Sequence, residues 1–316
     1  MSTHLVSVLM AVHNGQEFLQ EAIDSILKQI YQNIELIVVD DASTDSSPEI
    51  LRNVIDHRLR IITMSSNVGL VDALNLALSQ ARGGLIARMD ADDVAHSERL
   101  ALQVKKMSSD PSLVLLGTSV EYIDAQGRLL HIETFNTDNM ALQRILAEEG
   151  NHFCHSSVMM RTEAVRKVMG YRSIAGRYAQ DYDLWLRLAE VGTVANLPEP
   201  LLRYRVHEGQ LSFQKLVPQR RSAEIYKVLA RQRRLTGRED YQAAFKEVDT
   251  RKRVLRHAVV GDLLRLCDLF ARMGRTDRVF FMHMRAFLIA PFSPLIISLM
   301  RNCIRRRISS LSTMWH

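Results

Sequence analysis

The chain has 316 residues, 47% hydrophobic and 24% charged. That is ordinary for a soluble globular protein and allows one large domain, or one domain with an appendage. Cys154, Cys267 and Cys303 lie far apart with no C-x-x-C pair, so neither a disulfide framework nor a zinc site is suggested and a reducing compartment fits. The net charge of +6 hides an asymmetry: residues 1–214 hold 19 Lys+Arg against 27 Asp+Glu, and residues 215–316 hold 22 against 8. An acidic body with a basic tail suggests two tasks, the second involving an anionic surface.

Leu5 to Val12 is a near-continuous apolar run that predicts a strand covered on both faces. It begins almost at the N-terminus, so no signal peptide is expected. Leu19, Ala22, Ile23, Ile26, Leu27 and Ile30 are spaced as one face of a helix. A second buried strand, Leu36 to Val39, ends at Asp40-Asp41. Ser47-Pro48-Glu49 reads as a helix start with proline in the first turn. Leu59 to Met64 gives a third strand, Asn67-Val68-Gly69 a turn, and Leu70 to Ala81 a helix closed by Gly83-Gly84. Such β-α-β repetition implies a parallel sheet with right-handed crossovers.

The next strand, from Leu85, ends in Asp90-Ala91-Asp92-Asp93, three carboxylates within four residues. Carboxylates this close repel one another and resist burial unless a cation compensates them. A hard divalent ion does so and completes its shell with substrate phosphates. Position supports this, because open α/β sheets bind ligands at the carboxyl ends of their strands. The plainer reading is a solvated acidic turn capping the following helix. Beyond it come a helix from Ser97, a strand pair Leu113–Ile123 and Leu129–Thr134, a helix near 138–148, a strand at Ser156–Met160 and a helix near 180–190. No repeat or low-complexity tract is present, and the text turns helical and arginine-rich near residue 215, where a boundary is placed between 1–214 and 215–316.

The words Val6 to Gly15, Leu36 to Asp45, Ala87 to Asp93, Gly170-Tyr171-Arg172, Gln180 to Arg187 and Tyr204 to Glu208 occur in order over roughly residues 5–212. In that order they resemble the family 2 glycosyltransferases of the GT-A fold, inverting enzymes of the bacterial polysaccharide and O-antigen type. The resemblance implies an α/β fold with a Rossmann-like, mostly parallel sheet flanked by helices, and here a basic helical C-terminal extension. It implies a nucleotide-sugar donor, most simply a UDP-sugar, lying against Ala11, His13 and Asn14, with Asp41 as acceptor for the base. Asp90 and Asp92 match the family's D-x-D, Asp92 being nearer to direct Mn²⁺ or Mg²⁺ contact and Asp90 serving donor and metal; His207 is set against the pyrophosphate or metal. Asp181 matches the catalytic base, since a single displacement needs a carboxylate to take the acceptor hydroxyl's proton, while the metal stabilises the departing diphosphate. The residue before it, commonly glutamate in the family, is here Gln180, which with His155 falls on the acceptor side. Asp93 is read as a cap or a further acidic contact, Asp183 as structural, and Trp185 and Leu188 as core.

Ala286 to Met300 is apolar between Arg285 and Arg301. Spanning a bilayer needs roughly 20 apolar residues, and Pro291 and Pro294 interrupt this run. Shallow insertion, with Arg301, Arg305, Arg306 and Arg307 meeting anionic headgroups, suits it better; a helical subdomain packed on the body is the alternative. No recognition motif accompanies the charge, so nucleic acid is not an expected partner. The expected function is sugar transfer from a nucleoside diphosphate to a glycan or lipid-linked glycan, at the cytoplasmic face of the plasma membrane as a peripheral protein. One rival, a sugar nucleotidyltransferase, needs a glycine-rich loop that Val12-His13-Asn14-Gly15-Gln16 does not supply. The other, a non-catalytic scaffold of the same fold, is opposed by Asp41, Asp90, Asp92 and Asp181 occurring together.

Overall fold

The structure, a computed structural model, describes residues 4–176, 178–207, 215–291 and 293–295, with 252–254 in backbone only. β1 (Val6–Val12) is buried along nearly its whole length between two parallel neighbours. α1 (Leu19–Leu27) buries Leu19, Ala22, Ile23 and Ile26. It ends before Ile30, which the apolar spacing places on the buried face and which is 62% exposed. The chain has left the helix by then, and the Ile30 amide donates to the Ser97 carbonyl at 2.9 Å.

β2 (Ile34–Asp40), α2 (Ser47–Asn53), β3 (Leu59–Thr63), α3 (Leu70–Gln80) and β4 (Leu85–Arg88) continue the predicted alternation. These strands lie side by side in the order β3-β2-β1-β4, all parallel. Val6, Val8, Met10 and Val12 on one face of β1 share a core with the buried residues of α1, while α3 packs against β1 and β2. β1 and β4 are neighbours although the chain builds β2 and β3 between them. Their carboxyl ends therefore open on the crevice where strand order reverses, the usual ligand position in such sheets.

Past β4 the sheet becomes mixed. β5 (Val94–Ala95), α4 (Arg99–Ser109), β6 (Leu113–Ile123), β7 (Leu129–Glu133) and α5 (Asn139–Glu148) lead to a 3-10 turn at His155–Ser157. β8 (Met159–Arg161), α6 (Thr162–Lys167), α7 (Gln180–Leu188) and β9 (Thr193–Arg205) follow. The full order is β3-β2-β1-β4-β8-β6-β9-β5, with β7 on the outer half of β6. The strand expected at 156–160 starts later because Ser157 turns back, its amide and hydroxyl both donating to the Cys154 carbonyl. β9, which the sequence reading omits, runs parallel to β6 through two register shifts near Pro198 and Pro200.

Four helices complete the described residues: α8 (Leu216–Thr236), α9 (Tyr241–Thr250), α10 (Lys252–Arg272) and α11 (Thr276–Ile289). Contacts divide the chain into two compact units, residues 1–207 with 226–239, and residues 208–225 with 240–316. The segment 226–239, which a division at 214/215 assigns to the tail, thus belongs to the first unit. In the second unit, Val259, Val260, Leu263, Cys267 and Phe270 of α10 pack against Met282 and Ala286 of α11. No helix of the described residues is long and apolar enough to cross a membrane. Arg301, Arg305, Arg306 and Arg307 lie outside the described residues.

Candidate active site

The turns after β1 and β2 are stitched together. His13 donates through Nδ1 to the Asp41 carbonyl at 2.8 Å, and Asn14 Nδ2 approaches its Nε2 at 3.4 Å, a pattern consistent with the Nδ1–H tautomer. The Asn14 amide donates to Ser43 Oγ at 3.0 Å, and its side-chain oxygen accepts from the Thr44 amide at 2.8 Å. Asn14 and Ala42 both take left-handed backbone angles, φ +56° and +57°, which these cross-links hold against the usual steric penalty. Ala11 lies at the end of β1 and is half-buried, whereas His13 and Asn14 are exposed. Asp41 is buried, its two carboxylate oxygens accepting from the Val68 and Gly69 amides at 2.7 and 2.8 Å. Each oxygen keeps acceptor capacity for a further donor, and the same bonds fix the entry to α3 at Gly69, φ +89°.

The acidic cluster sits where β4 ends. Arg88, fully buried, pairs through Nη2 with Asp90, while the Asp90 amide donates to Ser156 Oγ at 2.8 Å. Asp92 Oδ2 lies 3.0 Å from His207 Nε2, and the His207 ring rests on Phe18 with centroids 5.2 Å apart. Asp93 does not cap α4: it is buried and accepts from the Arg205 amide at 2.8 Å, tying the cluster to β9. Burial, then the charges of Asp92 and Asp90, push the Asp93 carboxyl well above the usual carboxylate range. Arg205 reinforces the tie, donating to the Asp92 carbonyl at 2.9 Å and stacking on Phe18 at 4.5 Å.

Among the described residues no three His, Cys, Asp or Glu side chains converge closely enough to hold an ion alone. The residues present nevertheless fit a partial shell. Asp92 and His207 meet directly, Asp90 lies in the same loop, and burial with the neighbouring carboxylates raises the Asp93 carboxyl, a crowding of negative charge that a cation would relieve. Oxygen donors with one imidazole suit Mn²⁺ or Mg²⁺, whose remaining positions substrate phosphates would fill.

α7 supplies the other side of the site. Ala179, in a left-handed turn at φ +55°, starts the helix and places Asp181 in its first turn. Asn151 Nδ2 donates to Asp181 Oδ2 at 2.9 Å. Burial raises the Asp181 carboxyl above its ordinary range and the Asp90 charge adds to this, against the pull of the Tyr182 amide and Asn151. His155 Nε2 is 3.0 Å from the Tyr171 hydroxyl, and its ring meets Trp185 edge-on with centroids 5.9 Å apart. Burial, then the Arg88 charge, pushes His155 down to about 3, so it is neutral at ordinary pH. Gln180 is buried, and its side-chain oxygen has no partner among the described residues. Asp183 lies on a different face, ion-paired with Arg172 and Arg187.

The predicted residues thus form three groups: Ala11, His13, Asn14 and Asp41 around the first two strand ends, Asp90, Asp92 and His207 at the fourth, and His155, Gln180 and Asp181 about α7. The turn His155–Ser157 links the fourth strand end to α7: the Asp90 amide donates to Ser156 Oγ at 2.8 Å, and His155 meets Trp185 edge-on. Arg88, Asn151, Ser156, Tyr171 and Arg205 have no role in the sequence reading. Arg88, Tyr171 and Arg205 stand inside the quoted words, so their position was visible and their partners were not.

A model of glycosyl transferase family 2 matches residues 7–169. A Bacillus subtilis (strain 168) relative carrying the name glycosyltransferase EpsE is 38% identical over 219 residues, 66% of this chain and 75% of the relative. The O-antigen biosynthesis glycosyltransferase WbnJ of Escherichia coli is 34% identical over 212 residues, 64% of this chain and 80% of the relative. Two solved structures share the fold. The mannosyltransferase PcManGT from Pyrobaculum calidifontis, in complex with GDP-Man and Mn²⁺, gives a TM-score of 0.59 at 18% identity, covering 99% of this chain and 83% of its own. S. aureus TarS residues 1–349, in complex with UDP-GlcNAc, gives 0.56 at 17% identity, covering 88% and 90%.

Proposed function

The chain belongs to glycosyl transferase family 2, and from that premise we propose an inverting, metal-assisted transfer of a sugar from a nucleoside diphosphate, most simply UDP. The acceptor is a hydroxyl of a glycan or lipid-linked glycan in surface polysaccharide synthesis, at the inner face of the plasma membrane. One observation carries the reading: the turn His155–Ser157 joins the D-x-D loop to the helix of the base, Ser156 accepting from the Asp90 amide at 2.8 Å and His155 packing on Trp185 of α7, whose first turn holds Asp181. A base and a diphosphate-binding loop in one site are what a single displacement at an anomeric carbon requires.

Asp41 and the turn His13–Asn14 would receive the nucleoside at the strand-order reversal. Asp90, Asp92 and His207 would hold Mn²⁺ or Mg²⁺, which supplies counter-charge for the leaving diphosphate. The acceptor oxygen attacks C1 from the side opposite the diphosphate while Asp181 takes the hydroxyl proton. The C1–O bond breaks with its electron pair going to the β-phosphate, and the configuration at C1 inverts. Neutral His155 and the free oxygen of Gln180 offer hydrogen bonds to acceptor hydroxyls without adding charge beside the base.

The test is Asp181→Asn, with UDP release from UDP-sugars measured with water as acceptor and donor binding measured by calorimetry. Release is expected to fall by about 10²-fold or more with donor affinity unchanged. Release at the wild-type rate would remove Asp181 from the reaction.

A further inference from the structure

α11 has two apolar faces, and among the described residues only one is covered. Met282 and Ala286 pack on α10. On the other side Phe280 is 69% exposed, Phe281 51% and Leu288 73%, with Met284 and Phe287 exposed between them. At about 100° per residue these five side chains form one stripe about 120° wide. The helix's single carboxylate, Asp277, is bracketed by Arg275 at 2.9 Å and Arg278 at 3.7 Å. Arg285 stacks on Phe281 at 5.8 Å. Scattered exposed apolar residues are ordinary, but a contiguous row of five marks a binding face.

We propose that this stripe is the surface by which the chain docks on an anionic phospholipid bilayer, lying in the interface plane. The proposal rests on the membrane-face location given above and names the surface that makes the contact. Charge chooses the occupant. A second copy would bring the same excess of 14 positive charges in residues 215–316, whereas anionic headgroups complement Arg278 and Arg285 at the edge of the stripe. Length sets the mode: 14 residues make a helix of about 21 Å, short of the roughly 30 Å hydrocarbon core. Aromatic rings beside arginine belong at the boundary of headgroups and acyl chains.

The experiment is flotation of the full-length protein with phosphatidylcholine vesicles, with and without phosphatidylglycerol to supply a negative surface potential. Three variants accompany it: Phe280→Gln with Phe287→Gln and Leu288→Gln; Arg278→Gln with Arg285→Gln; and Asp181→Asn. The wild type and Asp181→Asn should float with the anionic vesicles, weakly with neutral ones, and detach in 1 M NaCl, where the Debye length is about 3 Å. The triple variant should lose at least about tenfold in partitioning, and the arginine variant should lose the preference for anionic lipid. Unchanged thermal melting checks that each variant is folded. A triple variant that floats like the wild type overturns the stripe while leaving the location intact; a wild type that ignores anionic vesicles overturns both. A wild type that dimerises through the stripe, shown by light scattering, with a monomeric triple variant and no lipid binding, assigns the face to a second copy instead. The sugar-transfer reading is judged separately, by the UDP release of Asp181→Asn.

Discussion

As the proposed base, Asp181 must be deprotonated to accept a proton, so its raised pKa is expected to set the acid limit of activity. Activity is lost as pH falls through the folded-state value, at a higher pH than an ordinary carboxylate would give. Asn151 donates to the charged form at 2.9 Å and pulls that value down. Asn151→Ala is therefore expected to move the acid limb of kcat against pH upward, with full activity recovered at higher pH; an unmoved limb would show that the contact does not tune the base. His155, pushed down to about 3, should contribute no step near the usual imidazole range. The carboxylates of this site were legible because acidic residues at strand ends stand out in any sequence. Their partners were not: Asn151 lies 30 positions from Asp181, and Ser156 lies 66 from Asp90. Only the fold brings those together.

At the scale of elements, α7 is fixed by an ion network rather than by its apolar face alone. Asp183 is buried and accepts from Arg172 at 2.6 Å and from Arg187 at 2.7 Å. Arg172 also reaches Glu239 at 3.0 Å, and Arg233 joins Glu239 to Glu190. Removing one member of a buried pair strands the other, so Asp183→Asn is expected to cost about 3–5 kcal/mol in urea unfolding; a cost below 1 kcal/mol would mean that the network is relaxed in solution. The same contacts place 226–239 in the first unit. A chain cut after residue 214 loses Tyr226, whose hydroxyl accepts from the Ala175 amide at 3.2 Å, together with Glu239. It should melt about 6–12 °C below a chain cut after residue 240, and equal melting would return 226–239 to the tail. Basic composition groups this segment with the tail, because Arg233 counts as positive whether it faces water or a half-buried glutamate. β9 has no continuous apolar run to mark it: Pro198 and Pro200 interrupt the stretch and sit at register shifts of its pairing with β6.

At the scale of the molecule, charge distribution governs donor binding. Residues 1–214 carry 27 acidic against 19 basic side chains, and the proposed donor brings a diphosphate of the same sign to the ends of β1 and β4. Arg88 cannot offset this, because its guanidinium is buried and already paired with Asp90. Among the described residues the Asp92 carboxylate pairs with His207, and an imidazole supplies charge only when protonated. A divalent cation bridging this loop and the phosphates removes the repulsion on both sides, so metal and nucleotide should bind as one linked event. Ligands that bind only the folded state stabilise it by about 2.7 kcal/mol at a hundredfold excess over Kd, which for a unit of this size raises Tm by about 5–10 °C. UDP with Mn²⁺ is expected to give a rise of that size, and UDP in EDTA or Mn²⁺ alone little or none. Asp92→Asn should reduce the joint rise while leaving the unliganded Tm nearly unchanged, since Asp92 is partly exposed and its carboxylate makes one contact among the described residues. Equal shifts by UDP with and without metal would mean that the chain's own cations suffice, and the metal assignment of Asp90, Asp92 and His207 would then fall.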